Sequence, residues 1–252
     1  MSDSKLHFIH FTTLKISLAL RGINSISIFS GQTNGNKHYK IHGQTDEPLN
    51  ETGLKQAELV GQALKDIEFN QVFSSDLSRA KATCQKIIDA NEASSVTLEM
   101  QETELIREKS FGQAENLHYV QFAYLTLIQN QTLPLNYVPK DGECKDDLRQ
   151  RAKLFIQDIL CKNVNFSSNP QHILIVSHGE FLTHFFYVLA NDFQCSFTTK
   201  ERDVMSKRPP NTSWCQVEVI LSDSSEIQNV NCIQTWNDEH LNALKSTICN
   251  IL

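Results

Sequence analysis

The sequence lacks the excess of basic residues that proteins binding nucleic acids or anionic membranes usually carry. Its 252 residues include 23 lysine and arginine residues against 29 aspartate and glutamate residues, which gives a formal net charge of −6. A chain with this balance has no overall positive field to attract a polyanion. We therefore expect neither a nucleic-acid nor a membrane partner, and any bound anion must be held by a local cluster of cationic side chains.

Long apolar runs and paired cysteines are missing as well. The first apolar stretch, residues 16–20, is followed by Arg21 and is too short for a secretion signal or a membrane span. The 7 cysteines are scattered and form no C-x-x-C pair, which argues against a disulfide framework and against a zinc site. These absences predict a cytoplasmic protein with reduced thiols.

Several catalytic motifs are absent. The chain contains neither a phosphate-binding Walker loop nor a G-x-G-x-x-G dinucleotide turn. A cysteine phosphatase would need an arginine six positions after Cys144, where Gln150 stands. His172, His178 and His184 are evenly spaced, but the change from strand to helix between them would scatter a metal triad. We expect no metal and no cofactor.

The chain does contain an alternation of strand-like and helix-like segments. Strand patterns cover residues 16–20, 71–74, 96–100, 172–177 and 215–221, with a weaker one near Ile233, and helix patterns cover residues 50–64, 78–90, 117–127, 146–160 and 181–190. Such an alternation is typical of an α/β fold with a mostly parallel sheet. No repeat or linker divides the chain, so we expect a single domain over residues 1–252.

Three polar residues lie shortly after strands or apolar segments, where α/β sheets place their ligand crevice. His178 follows the apolar strand 172–177, Arg79 lies near the start of a helix after strand 71–74, and Glu108 follows a short apolar pair. A histidine that is followed by glycine and the start of a helix can lie beside backbone N–H groups that bind a phosphate. An arginine can bind a phosphate with two N–H groups. Taken singly, each also has a plain interpretation, as a structural histidine or a surface charge.

Together with their neighbours these residues form segments that resemble a known family. The segments are DEPLNETGLKQA from Asp46, FSSDLSR ending at Arg79, REKSFGQAE from Arg107, VSHGE from Val176 and PNT from Pro210. In this order they resemble the histidine phosphatase (phosphoglycerate mutase-like) superfamily, and within it the fructose-2,6-bisphosphatase type. The resemblance implies a three-layer α/β/α sandwich with a mostly parallel sheet.

The resemblance also implies an activity, the hydrolysis of a small sugar phosphate through a phosphohistidine intermediate, with no metal or cofactor. It implies that Arg79 binds the transferred phosphate and that Glu108 protonates the leaving oxygen. His178 then stabilises the phosphoryl charge as it develops. The further substrate-binding positions that the resemblance implies are Arg21, Gly31, Thr33, Asn34 and Gly179.

The nucleophile of the family motif Arg-His-Gly-x-Thr is missing from the sequence. Residues 31–33, Gly-Gln-Thr, supply its second half, so that Phe29 and Ser30 stand where the arginine and the histidine belong. Residues 16–21 supply a strand and an arginine. We therefore interpret residues 22–30 as an insertion, for example from a retained intron, that displaced the nucleophile.

Two residues could be considered in place of the missing histidine. His42 begins a second His-Gly-x-Thr, but it follows polar residues instead of a strand, which disfavours it. Ser30 carries a hydroxyl that is a weak nucleophile without a neighbouring base. The chain as written is therefore expected to keep phosphate affinity but to have little or no turnover.

Three functions stay open at this point. The first is a phosphatase for a small sugar bisphosphate such as fructose 2,6-bisphosphate. The second is a catalytically dead protein that binds a phosphorylated metabolite, and the third is a phosphatase of the same fold for another small phosphate ester, such as a phosphoglycerate derivative. All three have a small phosphorylated metabolite as partner, and the sequence leaves the oligomeric state open.

Overall fold

A six-stranded sheet forms the centre of the computed structural model, which describes residues 21–130, 137–162, 171–193, 196–222, 224–242 and 244. The strands are β1 (Arg21–Phe29), β2 (Gln71–Ser75), β3 (Met100–Thr103), β4 (Gln171–Ser177), β5 (Trp214–Leu221) and β6 (Ile227–Asn237). Their order is β3-β2-β4-β1-β5-β6. Strands β1 to β4 are parallel to one another. At one edge of the sheet β5 pairs antiparallel with β1, and β6 pairs antiparallel with β5. These pairings confirm the mostly parallel sheet.

Helices connect these strands. They are α1 (Asn34–Lys37), α2 (Glu51–Ala63), α3 (Ser78–Ala90), α4 (Tyr119–Asn130), α5 (Lys145–Leu154), α6 (Gly179–Asp192) and α7 (Thr199–Met205). A π-helical segment, Phe155–Leu160, continues α5. Helix α2 begins where the sequence predicts, because the Asn50 side chain accepts a hydrogen bond of 2.8 Å from the Gly53 N–H and so caps the first turn. Among the described helices, none combines the length and the apolar character that crossing a bilayer requires.

The two faces of the sheet carry separate apolar cores, which confirms the three-layer arrangement. Alternate residues of β4 divide between them, as strand geometry requires. Ile173 and Ile175 pack in the core that holds Phe155 and residues of α6. Leu174 and Val176 lie in the other core, with side chains of α2 and α3. β4 is buried on both faces, which explains why its apolar run is continuous.

Residues 22–30, which the sequence led us to interpret as an insertion, do not form a loop outside the sheet. Residues 21–29 are β1 itself, which is hydrogen-bonded to β4 on one side and to β5 on the other. An inserted loop would lie outside the sheet, whereas Ile26 and Ile28 are completely buried in it. The strand predicted over residues 16–20 lies outside the described residues.

The position of Arg21 is corrected by the same finding. Arg21 begins β1, and the strand of 9 residues ends at Phe29. At about 3.3 Å per residue, the two ends of this strand are roughly 26 Å apart. Arg21 therefore lies at the opposite end of β1 from Ser30, and its role in substrate binding stays a prediction.

Smaller differences concern other segments. The strand predicted over residues 96–100 is displaced, because β3 is Met100–Thr103. Helix α7 was not predicted, and the weak strand near Ile233 is the middle of the long β6. Within the described part of the chain the free cysteines are Cys84, Cys144, Cys161, Cys215 and Cys232, and the other two cysteines lie outside it.

Candidate functional site

A cavity of about 230 Å³ opens at the carboxyl ends of β1 and β4. Its wall contains Ser30, Arg79, Glu108 and His178, so the structure brings together four residues that the sequence placed in one site. They come from four different parts of the chain. Parallel strands end at the same edge of the sheet, and residues that follow these strands therefore converge.

His178 lies directly after β4 and at the start of α6, with 1% of its surface exposed. Burial, followed by the positive charges of Arg79 and Arg151, holds its pKa well below the usual value. The ring is therefore neutral near pH 7. Its Nε2 atom has no hydrogen-bond partner among the described residues, which leaves this buried polar atom free for a ligand.

Arg79 lies in the first turn of α3 and has 4% of its surface exposed. Its guanidinium donates hydrogen bonds to the carbonyl oxygens of Gly43 (2.9 Å) and Thr45 (3.0 Å). Burial lowers its pKa, but a guanidinium remains charged at any physiological pH. Two carbonyls orient this cation, and its remaining N–H groups suit the oxygen atoms of a phosphate.

Glu108 follows the short 3₁₀ turn Glu104–Ile106 and points its carboxylate at the amino end of α6. The carboxylate accepts hydrogen bonds from the backbone N–H groups of Glu180 (3.3 Å) and Phe181 (3.2 Å). A helix amino terminus attracts negative charge, so this contact fixes the carboxylate beside His178. Burial, together with the charge of Glu108, raises the pKa of the Glu180 carboxyl.

Ser30 stands at the end of β1, and 2% of its surface is exposed. Its N–H donates a hydrogen bond of 3.0 Å to the carbonyl of Ser177, the residue before His178. This contact sets the end of β1 beside the end of β4. Position 30 therefore lies at the floor of the cavity next to His178, where a side chain can meet a bound phosphoryl group.

The remaining predicted residues lie around the cavity without lining it. The Gly31 N–H donates a hydrogen bond of 3.1 Å to the Thr83 hydroxyl, and Thr33 caps α1. Gly179 is buried in the first turn of α6. Asn34 is exposed and does not belong to the wall of the cavity, so its contact with substrate stays a prediction.

His42, which the sequence disfavours, is in the wall of the cavity. Its Nδ1 atom lies 3.3 Å from the Thr33 hydroxyl, and its Nε2 atom contacts the Glu47 carboxylate. Gly35 lies so close to the ring that a side chain on residue 35 would collide with it. Burial lowers the pKa of His42, and the charge of Glu47 opposes that shift. Two partners and close packing therefore fix this imidazole.

Sequence reasoning found Arg79 but missed the other four cationic side chains that line the cavity. Five cationic side chains, Lys40, Arg79, Lys109, Lys145 and Arg208, line it together with the carboxylates of Glu108 and Glu180. Asn36 and several aromatic side chains also contribute. Lys109 lies within the segment REKSFGQAE and Arg208 lies two residues before PNT, and their charge at these segments was the only signal in the sequence. In the described residues, no group of histidine, cysteine and acidic side chains could hold a metal ion.

Known proteins share both the sequence pattern and the fold. The family described as "Histidine phosphatase superfamily (branch 1)" matches residues 30–219. The fructose-2,6-bisphosphatase TIGAR of Mus musculus is 26% identical over 259 residues, covering 85% of this chain and 94% of that protein. TIGAR B of Danio rerio is 31% identical over 191 residues, covering 66% of this chain and 74% of that protein.

Solved structures agree on the fold. A mycobacterial glucosyl-3-phosphoglycerate phosphatase superposes with a TM-score of 0.70 at 18% identity, covering 86% of this chain and 100% of that one. A phosphoglycerate mutase from Bacillus anthracis gives a TM-score of 0.64 at 20% identity, covering 82% and 93%. The family match runs from Ser30 in the floor of the cavity through to β5 and includes Arg79, Glu108 and His178. This chain belongs to the histidine phosphatase superfamily.

Proposed function

We propose that this protein binds the phosphoryl group of a small phosphorylated metabolite in the cavity, with little or no hydrolysis by the chain as written. Arg79 binds the phosphoryl oxygens as an oriented cation. The neutral His178 supplies a hydrogen bond from its free Nε2 atom. Both side chains are buried before any ligand arrives, so little side-chain entropy is lost on binding.

The identity of position 30 is the observation that carries this proposal. In the superfamily a histidine nitrogen attacks phosphorus, and the phosphorus–oxygen bond to the leaving group breaks as the phosphohistidine forms. A serine hydroxyl can do this only if a base removes its proton. The Nε2 atom of the neutral His178 makes no hydrogen bond to any described residue, so it is not paired with the Ser30 hydroxyl as a base would be.

The charge of the cavity supports a ligand with more than one anionic group. Five cations against two carboxylates leave an excess of positive charge in a chain whose net charge is −6. Such a local field attracts multiply charged anions. A sugar bisphosphate of the fructose 2,6-bisphosphate kind meets this requirement, and two of the relatives above are named for that substrate.

A second candidate function rests on His42. Because its imidazole is in the wall of the cavity, it offers a second nitrogen nucleophile for a phosphate ester. In this version the phosphoryl group passes from the ester oxygen to His42, Glu108 protonates the leaving oxygen, and water then releases phosphate. The contacts of His42 with Thr33 and Glu47 oppose it, because both ring nitrogens are occupied.

Calorimetry and a phosphate-release assay on the full chain test these functions. Fructose 2,6-bisphosphate and inorganic phosphate should bind, and Arg79→Gln should weaken both by at least about tenfold, because a charged hydrogen bond is lost. Lys81→Gln is the matched control, since Lys81 is on the same helix but pairs at the surface with Glu102. Absence of binding to the wild type would overturn the proposal. Phosphate release that is lost in His42→Gln would establish the second candidate instead.

A further inference from the structure

Arg208 lies over the ring of Phe29 at the mouth of the cavity. Its guanidinium carbon is 5.7 Å from the centre of the ring, and both residues line the cavity. Phe29 is 4% exposed and ends β1, so the ring is a fixed surface. A guanidinium above an aromatic face is held by the negative charge of that face.

The turn that carries Arg208 is attached to the end of β1. The Thr212 N–H donates to the Phe29 carbonyl (2.9 Å), and the Phe29 N–H donates to the Ser213 carbonyl (3.1 Å). Pro209 and Pro210 follow Arg208 and restrict the backbone between it and these contacts. The turn therefore places Arg208 at the cavity, and its hydrogen bonds hold it against the end of β1, next to Ser30.

No described residue accepts a hydrogen bond from Arg208 or forms an ion pair with it. The other arginines near the site are committed to protein partners. Arg79 binds two carbonyls, Arg107 pairs with Asp76, and Arg151 pairs with Glu143. Arg208 thus presents to the cavity N–H donors that no described residue accepts, and its positive charge acts on Glu180 and His42 in the same cavity.

We propose that Arg208 is a second phosphoryl-binding guanidinium, acting on the same anion as Arg79. The position that the family motif gives to arginine holds Phe29 here, and the cation above that ring comes instead from the turn before β5. A phosphate dianion would meet Arg79 from α3, Arg208 from this turn, and His178 from β4. This assignment rests on the proposed function, because it requires that a phosphoryl group occupies the cavity.

Binding of inorganic phosphate, followed by calorimetry or by ³¹P NMR titration, tests this assignment. We expect Arg208→Gln to weaken binding about tenfold or more, which corresponds to the loss of a charge-assisted hydrogen bond. Lys207→Gln removes the same charge from the neighbouring residue, whose ammonium pairs at the surface with Asp203 at 2.7 Å. That control should change the affinity less than about twofold.

The comparison with Arg79→Gln separates the two proposals. If Arg79→Gln weakens binding while Arg208→Gln behaves like Lys207→Gln, the role of Arg208 is overturned and the proposed function survives. If the wild type binds neither phosphate nor fructose 2,6-bisphosphate, both proposals fail.

A substitution of the ring tests how Arg208 is held. Phe29→Leu keeps an apolar side chain in the core but removes the aromatic face, and it should weaken phosphate binding about two- to fivefold. Thermal unfolding of each variant checks that the fold persists. An unchanged affinity in a folded Phe29→Leu variant would show that the ring does not seat the guanidinium and would contradict the proposed geometry.

Discussion

Arg151 and Glu143 form a two-point ion pair, with Nε to Oε1 at 2.7 Å and the second pair of atoms at 2.9 Å. The same guanidinium donates hydrogen bonds to the backbone carbonyls of Leu105 (2.7 Å), Arg107 (3.1 Å) and Glu108 (3.3 Å). One side chain of α5 thus holds the segment that leads to Glu108. These hydrogen bonds position the segment so that the Glu108 carboxylate meets the first turn of α6.

Replacing Arg151 should destabilise the protein. Arg151→Met removes the ion pair with Glu143 and the guanidinium donors to the three carbonyls, and we expect a loss of about 2–3 kcal/mol in the free energy of unfolding. Urea denaturation measures it. Arg149→Met on the same helix is the control, since its partner Asp146 is 84% exposed, and it should cost less than about 1 kcal/mol. Equal costs for the two variants would contradict the role given to Arg151.

Placing a histidine at position 30 should create activity. Ser30→His puts an imidazole at the end of β1 beside His178, and we expect phosphate release from a sugar phosphate to rise at least about tenfold, as for a restored covalent nucleophile. The protein should then carry an acid-labile, alkali-stable phosphoryl group after a brief reaction. Ser30→Ala serves as the inactive control. A folded Ser30→His variant that binds substrate without labelling would show that the site lacks more than its nucleophile.

The buried histidines make stability depend on pH. Burial, followed by the charge of Arg149, lowers the pKa of His184 to about 4, and burial also lowers that of His178. A histidine whose pKa is lowered in the folded protein binds a proton more readily in the unfolded chain. The folded protein therefore keeps its full stability above about pH 6.5 and loses stability as pH falls towards 4. The wild type should lose about 3 kcal/mol more than His184→Leu between pH 7 and pH 4. Parallel pH profiles for the two proteins would refute this effect.

Two buried hydroxyls of β1 have no hydrogen-bond partner in the part of the chain that the structure describes. Ser25 and Ser27 are completely buried, and no described group bonds to either hydroxyl oxygen. Ser27→Ala should therefore raise the free energy of unfolding by about 1 kcal/mol, because it removes an unsatisfied polar atom. Ser177→Ala should instead lower the free energy of unfolding, since the Ser177 hydroxyl donates a hydrogen bond of 2.7 Å to the Ile106 carbonyl. Chemical denaturation of both variants measures the difference.

These serines also explain why the first strand could not be predicted. The pattern of residues 23–29 mixes isoleucines with buried polar side chains, whereas a strand buried on both faces normally reads as a continuous apolar run, as β4 does. The apolar stretch at residues 16–20 fitted that rule better. Only the hydrogen bonds to β4 and β5 identify β1 as a central strand.

The candidate site was predictable where strand ends determine it. Arg79, Glu108 and His178 follow strands or short apolar segments, and the topology of a parallel sheet is sufficient to bring them together. Arg208 and Lys40 come from loops whose paths depend on hydrogen bonds between distant segments. Local periodicity contains no information about such paths, so these residues could not be placed in the cavity from sequence.

The pairing of β1 also constrains when the protein can fold. Ser25 pairs with Ile173 on one side and with Val217 on the other, so both neighbours of the first described strand are made late. Contacts so distant along the chain slow the search for the native sheet. During synthesis β1 stays unpaired until β4 has left the ribosome, and its second side stays unpaired until β5 follows. The end of that strand, with position 30, is consequently among the last parts of the sheet to be completed.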